Sequence, residues 1–563
     1  MTSALHPRPA AAVAPRDPDL VMRLSRMGSA HPMRLSFLRV LLRRVQAEGW
    51  CFDRPLWQVD AKGVGRAVYR ARGPNSTYCL VAFAHDLPDA MRSDRVIATA
   101  WDATFALVDG EPTEADLDRL AANVPLQEAG RISVKELALS RANRSVRLFS
   151  HVVERLAAGQ QPDLAEMDAV GYLMRTTAVY GAGKFGAADR DEIAGRPELL
   201  APFQAEMLSV WLTRAFTVDL AEHLAKVRGG AQAVALDRDL RRQLGVGNST
   251  GLGMAPFLVR HPRLLHAWMQ ARETALARVR ALPMADAASL AGFHEALAAA
   301  TENARAWHSE HPVQIEKLAQ LSVDLDRLAA HLAHWDSRGL LPWDTLWRWG
   351  EDNLSEEGQE ILLALMLEPH GALVDDLSAH LHADESTGFP IDGSLSLDHL
   401  RGLIARNYCW IQRFDFADPD QTARFWYVSA EKLEPRLGQR HDEAGQEREH
   451  PLGIARAVAD LSAALSGWSG GGTLAAFLLA HPQHRHTVRR ILMLAGLPYA
   501  EIRDNLLDAQ MLPIDLLRCK LAFFGASRFD PRSDRWVRIS LFHGQPYPDE
   551  VSAHGQRDTL GAL

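Results

Sequence analysis

The 563-residue chain contains four cysteines, Cys51, Cys79, Cys409 and Cys519, and no C-x-x-C pair. That excludes a disulfide framework and a thiolate zinc site, and it points to a reducing, cytoplasmic compartment. Long hydrophobic runs are missing too: stretches such as Ile361–Leu367 fall far short of the roughly 18–20 residues that span a bilayer. Residues 1–19 hold four prolines and lack an apolar core behind a basic start, so they read as a short disordered arm, not a secretory signal. Positive charge is not in excess. With 62 Lys+Arg against 70 Asp+Glu the formal charge is −8, which on average charge excludes a nucleic-acid or membrane-surface protein.

Catalytic signatures are also lacking. There is no G-x-S-x-G elbow, and no cysteine sits in the context of a nucleophile. Two histidine groups, His331-x-x-His334 and His481-x-x-His484-x-His486, lack the glutamate of H-E-x-x-H. No metal is assigned on this basis, and no motif names a cofactor. The tryptophans Trp335, Trp343, Trp347 and Trp349 read as core or interface, not as a base-stacking platform.

What is present is a chain that is 47% hydrophobic and 23% charged, enough for a sizeable core and several domains. Leu20–Ala47 repeats apolar residues at helical spacing and is ended by Gly49. Leu56–Val59, Gly65–Ala71, Thr77–Ala84 and Arg95–Val108 are rich in Val, Tyr, Thr and aromatics between breakers, as an antiparallel meander would be. The pattern from Thr113 to about Pro369 is mainly helical. Thr113-x-x-Asp116 opens one helix, Glu136–Leu156 and Asp163–Thr177 are expected as two more, and Phe203–Val227 as a long one. Ala271–Asp336 has the composition of a helical bundle, and short strands are expected again near Tyr408–Phe416, Phe425–Ser429 and Trp536–Phe542. The fold class is therefore α+β, mainly α with small antiparallel sheets.

Two echoes bear on organisation. Leu35-x-x-Leu38-Arg39-x-Leu41-Leu42-x-Arg44 resembles Leu397-x-x-Leu400-Arg401-x-Leu403-Ile404-x-Arg406, each followed by a tryptophan, Trp50 or Trp410. The Phe-Leu-x-x-His-Pro run ending at His261-Pro262 returns at His481-Pro482. They suggest a degenerate internal duplication, with residues 20–285 and 380–563 as related halves and 286–379 as a helical connector. The plainer explanation is that helices rich in Leu and Arg look alike.

Two glycine-rich runs stand out. Arg175-Thr-Thr-Ala-Val-Tyr180-Gly181-Ala-Gly183-Lys184-Phe185-Gly186 combines a permissive backbone with positive charge and hydroxyls, which suits an anion. It is not a Walker A loop, because Phe185 follows Lys184. It matches G-x-G-x-x-G in letters, but the residues before it read as helical, whereas the dinucleotide fingerprint needs a strand there. Gly245-Val-Gly247-Asn248-Ser249-Thr250-Gly251-Leu-Gly253 is the second run, expected as a turn that delivers a helix near Met254 and leaves its N–H groups for an anion. Each run also has a plain explanation, a glycine helix stop and an ordinary capped helix start. On the expected helix Glu136–Leu156, Ser140, Asn143, Arg144, Arg147 and His151 share one face that could hold a carboxylate or phosphate, or could simply be solvated. His85 ends a strand, where an imidazole suits acid–base work, and Asp102 stands in an expected strand, where it alternates outward.

These residues point first to an enzyme that binds a small anionic metabolite and acts by general acid–base chemistry of lyase or isomerase type. His85, Tyr180 and Lys184 are its candidate catalytic groups. Ser140, Asn143, Arg144, Arg175, Thr176, Gly181, Gly183, Asn248, Ser249 and Thr250 are its candidate binding residues. A nicotinamide-dependent oxidoreductase and a non-catalytic helical interaction protein are the alternatives. Nucleic-acid and membrane partners are not expected, and a homo-oligomer is allowed.

Overall fold

The computed structural model describes residues 13–88, 91, 100–123, 133–176, 195–248, 262–307, 312–379, 381, 390–417, 427–429, 432–434, 451–503, 513–526, 528–533 and 536–553. The chain is α+β, with most of its described elements helical. Eleven strands occur among the described residues: β1 (Cys51–Val59), β2 (Gly65–Arg72), β3 (Thr77–Ala84), β4 (Ala103–Asp109), β5 (Glu136–Arg144), β6 (Tyr172–Thr176), β7 (Gly245–Asn248), β8 (Tyr427–Ser429), β9 (Lys432–Glu434), β10 (Arg528–Ser533) and β11 (Trp536–Leu541). Nine of them form one mixed sheet in the order β1-β2-β3-β4-β5-β6-β7-β11-β10, and β8 and β9 pair separately. Every neighbouring pair of the large sheet is antiparallel except β6 and β7. The expectation of small sheets in each half is thereby corrected, since β11 from the far end of the chain pairs with β7.

The sheet curls round a 26-residue helix, Gln204–Gly229, which the sequence places well. Trp211 of this helix meets Phe52 of β1 at 4.9 Å and Phe542, just past β11, at 6.3 Å between ring centroids. Both flanks of the sheet therefore reach the same helical residue. Arg214, one turn on and fully buried, donates to the carbonyls of Leu244 at 2.6 Å, Gln545 at 2.7 Å and Arg242 at 3.2 Å, and lies 3.8 Å over the Tyr547 ring. It ties the start of β7 to the segment after β11.

Alternation along β3 shows which face is which. Tyr78, Leu80 and Ala82 join the main core on the helix side, whereas Cys79, Val81 and Phe83 join a second cluster with Leu117 and Leu120. Those leucines belong to the helix Glu114–Asn123, opened as expected by a capping box in which Thr113 and Asp116 exchange hydrogen bonds of 3.1 and 3.2 Å. The strands in the middle of the sheet are covered on both faces.

Two of the expected helices are in part strands. Glu136–Leu156 is β5 followed by the helix Phe149–Ala157, and Asp163–Thr177 is the short helix Leu164–Asp168 followed by β6. A strand buried on both faces loses its polar alternation and resembles a helix by composition. Gly171, with φ +76°, makes the break between Leu164–Asp168 and β6. Leu20–Ala47 is likewise divided, into Pro18–Val21, Leu24–Met27 and Phe37–Ala47; Gly49, at φ +65°, follows the last of these. Cys409–Arg413 is a short 3-10 helix where a strand was expected, and most described residues of Ala271–Asp336 belong to three helices, Pro262–Arg280, Ala287–Arg305 and Pro312–Leu332.

From residue 13 the chain packs into the helical region. Arg16 is buried and donates to Glu273 and Glu360 through four hydrogen bonds of 2.7–3.1 Å. No helix among the described residues is long and apolar enough to cross a membrane.

Candidate functional site

Both glycine-rich runs leave the same end of the sheet. Thr176 and Asn248, the last residues of the parallel strands β6 and β7, are register partners, so the two segments set out about 5 Å apart. Tyr172–Thr176, the described residues that lead toward Gly181, form a strand, which corrects the helical expectation there. Gly245-Val-Gly247-Asn248 is β7 and not a turn. Its glycines are needed for packing: a Cβ at Gly245 would stand 2.4 Å from the Leu541 carbonyl oxygen, and one at Gly247 2.8 Å from the Tyr172 ring. Tyr180, Gly181, Gly183, Lys184, Ser249 and Thr250 lie outside the described residues, as does the helix expected near Met254.

The described candidates gather at this end of the sheet but divide between its faces. Ala84, Ala103, Ala142, Thr176 and Asn248 form one row across five strands. Phe83, an outer-face residue, is opposite Thr104, and Thr104 is opposite Arg141. Two residues further along β5, Asn143 is opposite Arg175. Beside Thr104, the imidazole of His85 places Nε2 2.9 Å from the Thr104 hydroxyl. Thus His85, Thr104, Arg141, Asn143 and Arg175 run across four adjacent strand ends on the outer face.

Ser140 is instead opposite Phe105, whose ring contacts Phe216 of the central helix, so it is buried on the inner face. Arg144 shares that face and lies 4.7 Å over the Phe149 ring. A strand separates Ser140 and Arg144 from Asn143, where a helix would have joined them. Arg147 is exposed in the following turn, and His151 lies on the helix Phe149–Ala157.

Side chains shape the end of the ladder between β4 and β5. The Asn143 Oδ1 accepts the backbone N–H of Asp102 at 2.9 Å, and Asp102 Oδ2 accepts that of Arg144, also at 2.9 Å. The two strands therefore exchange caps for the N–H groups that the ladder no longer pairs. Asn143 Nδ2 donates to the Ala100 carbonyl at 3.1 Å, and the Asp102 carbonyl accepts the His85 N–H at 2.9 Å. Asp102 is fully buried and lies just before β4, so it does not alternate outward as expected.

Burial disfavours the charged form of both the imidazole and its arginine neighbour. Burial lowers the pKa of His85, with the nearby Asp102 carboxylate opposing the shift. Burial also lowers that of Arg141, whose guanidinium lies 4.2 Å over the Trp101 ring. Stacking holds this planar group in one orientation. Thr104, Arg141 and Trp101 were not among the residues expected from sequence. A period of two along β5 pairs Arg141 with Asn143, whereas helical spacing selects Ser140.

No group of three His, Cys, Asp or Glu residues suited to a metal occurs among the described residues. The imidazole of His331 stacks on Trp349 at 3.8 Å. No family model matches the chain, and no curated protein or solved structure is detectably similar to it.

Proposed function

We propose that the chain is an enzyme that binds a small anionic metabolite, a carboxylate or phosphate, beyond the ends of β6 and β7 and acts by general acid–base chemistry of lyase or isomerase type. The supporting observation is convergence. Two polar glycine-rich segments leave register-paired parallel strands, beside an outer face bearing Arg141, Arg175, Asn143 and His85. Ligands of open α/β sheets gather outside the carboxyl ends of parallel strands for the same reason: successive loops converge there. Arg141 and Arg175 would grip the anion, Lys184, Ser249 and Thr250 are further candidate binding groups, and proton transfer would fall to one of His85, Tyr180 and Lys184. An interaction protein using these runs only as helix junctions gives no reason for them to leave one edge together.

A panel of carboxylates and phosphates tests the reading by thermal stabilisation, since a ligand of the folded state raises its midpoint. Arg175→Ala, Lys184→Ala and Ser249→Ala should each reduce the rise. If no anion shifts the midpoint, or if all three variants respond as the parent does, the reading is wrong.

One observation favours the nicotinamide alternative: a strand, β6, ends at Thr176, five residues before Gly181. Against it, β6 is antiparallel to β5, unlike the strands of a doubly wound sheet. Titration with reduced nicotinamide dinucleotide, read by its fluorescence, separates the two. The four free thiols support the cytoplasmic setting. We retain internal duplication as a proposal, supported by helices of equal length, Phe37–Ala47 and Leu397–Asn407, that overlap the echoed segments with a two-residue displacement; superposition of the two segments and their surroundings tests it.

A further inference from the structure

We propose that Thr104 fixes the tautomer of His85, so that a neutral imidazole offers an Nδ1–H donor to the ligand, and that the ligand is an anion which also carries a carbonyl oxygen. The second half rests on the anion-binding reading above. The first half stands on geometry alone.

Thr104 is fully buried, and its hydroxyl is 2.9 Å from His85 Nε2. A threonine hydroxyl always carries one hydrogen, whereas neutral imidazole has one N–H and one lone pair. Among the described residues, His85 is the only hydrogen-bond partner of Thr104 Oγ1. If Nε2 were the donor, the threonine hydrogen would be buried without an acceptor, a cost of about 1–3 kcal/mol. The hydroxyl therefore donates to Nε2, and the ring hydrogen sits on Nδ1. The imidazolium form would put a hydrogen on Nε2 and meet the same conflict, so Thr104 also opposes protonation.

The backbone anchors the residue and the Thr104 contact holds its ring. His85 N–H donates to the Asp102 carbonyl, and Asp102 is held by Asn143, so the imidazole is placed by the capped end of β4. His85 is half-buried, and its Nδ1 makes no hydrogen bond among the described residues. Such a donor is uncharged. It is suited less to the ligand's anionic group, which the arginines across β5 and β6 would take, than to a neutral oxygen that gains charge as a reaction proceeds. A carbonyl is that kind of oxygen, and enolate-forming isomerases and lyases depend on stabilising it. Thr104 is then a positioning residue, acting through His85, which stabilises the oxygen while proton transfer falls to the other candidate groups, Tyr180 and Lys184.

Two measurements test the two halves. In the full chain labelled with 15N-histidine, His85→Gln identifies the His85 resonances, and long-range 15N–1H couplings report which nitrogen is protonated. The expected pattern is Nδ1–H, retained in Thr104→Ser and shifted toward Nε2–H in Thr104→Val. An Nε2–H pattern in the parent chain overturns the assignment, as does an unchanged pattern in Thr104→Val.

The ligand class is tested with charge-matched pairs, pyruvate against propionate and dihydroxyacetone phosphate against glycerol phosphate, which also separate a carboxylate from a phosphate source. The carbonyl partner of the accepted pair should bind about tenfold more tightly, a preference worth one good hydrogen bond to the site. Thr104→Val should reduce that preference and Thr104→Ser restore it. Equal affinity within the pairs overturns the carbonyl requirement and leaves the anion reading standing. Absence of binding by both pairs and by every other anion overturns the ligand class and the anion reading together, and the tautomer result alone then decides the role of Thr104.

Discussion

Replacing Arg16 by methionine keeps most of the side chain's volume and removes its charge from a buried cluster. The guanidinium donates to Glu273 Oε2 and Oε1 at 2.7 and 2.9 Å and to Glu360 Oε1 and Oε2 at 2.7 and 3.1 Å. Both carboxylates are essentially inaccessible to water. Arg272 remains beside them, 2.7 Å from Glu273 and 3.5 Å from Glu360, and Arg26 lies 3.5 Å from Glu360, so the variant strips Glu360 of its shortest ion pair and Glu273 of one of two. Removing one partner of a buried ion pair costs about 3–5 kcal/mol, chiefly because the charge left behind has lost its solvent and its partner. The electrostatics of Glu273 point the same way. Burial pushes its carboxyl up, but Arg16 and Arg272 outweigh burial and hold it at about 2 against an ordinary 4.5. A depression of that size corresponds to about 3 kcal/mol of stability, present above the unfolded value and lost as pH falls toward 2. The assay is urea denaturation of the parent, Arg16→Met, Glu360→Met and the double variant at neutral pH. Arg16→Met should lose about 3–5 kcal/mol, and the double variant less than the sum of the single ones, because the second change removes the stranded charge. A loss below about 1 kcal/mol, or strict additivity, would refute the view that Arg16 closes a desolvated cluster.

Three further outcomes follow from close packing. Gly28→Ala would put a Cβ 2.3–2.6 Å from the backbone of Arg518 and Cys519 in the helix Pro513–Phe524, and should lower stability by at least about 1–3 kcal/mol in the same denaturation assay. Arg214→Lys should fail to rescue Arg214→Met, because an ammonium cannot reach the carbonyls of Leu244, Gln545 and Arg242 in one plane; hydrogen exchange at residues 242–246 and 542–547 should rise in both. Gly247→Ala would drive a methyl into the Tyr172 ring at 2.8 Å, so it should weaken the β6–β7 pairing and any anion-induced rise in melting temperature together. An unchanged rise in that variant would place the ligand elsewhere.

The legible and illegible parts of the sequence differ in physical setting. β3 is bounded by Ser76 and His85 and is rich in apolar and aromatic residues, and its expected limits, Thr77–Ala84, are the observed ones. β2 and the last four residues of β1 were also expected, whereas Cys51–Pro55, the start of β1, was not. β5 and β6 were not, because burial on both faces removes the alternation by which a strand is known. That error of period carried through to the site. Helical spacing selected Ser140 with Arg144, which lie on the inner face, and passed over Arg141. Thr104 was missed for another reason: nothing local marks a hydroxyl whose importance comes from a histidine 19 residues earlier. The glycines of β7 were read as a ligand loop, although two of them answer to Leu541 and Tyr172, one of which is about 300 residues away.

That distant pairing has a bearing on how the chain is made. β7 finds its neighbour β11 only after the residues between Asn248 and Trp536 have been synthesised. At about 5–20 residues per second this interval is on the order of 15–60 s. Throughout it the nascent chain carries a bare strand edge at β7, and Trp211 and Arg214 lack the segment 542–547 that covers them. An unpaired edge beside uncovered apolar surface invites pairing with other chains. The vulnerable period of this protein is therefore its own synthesis, and truncation before residue 536 should yield aggregation in place of a smaller folded unit.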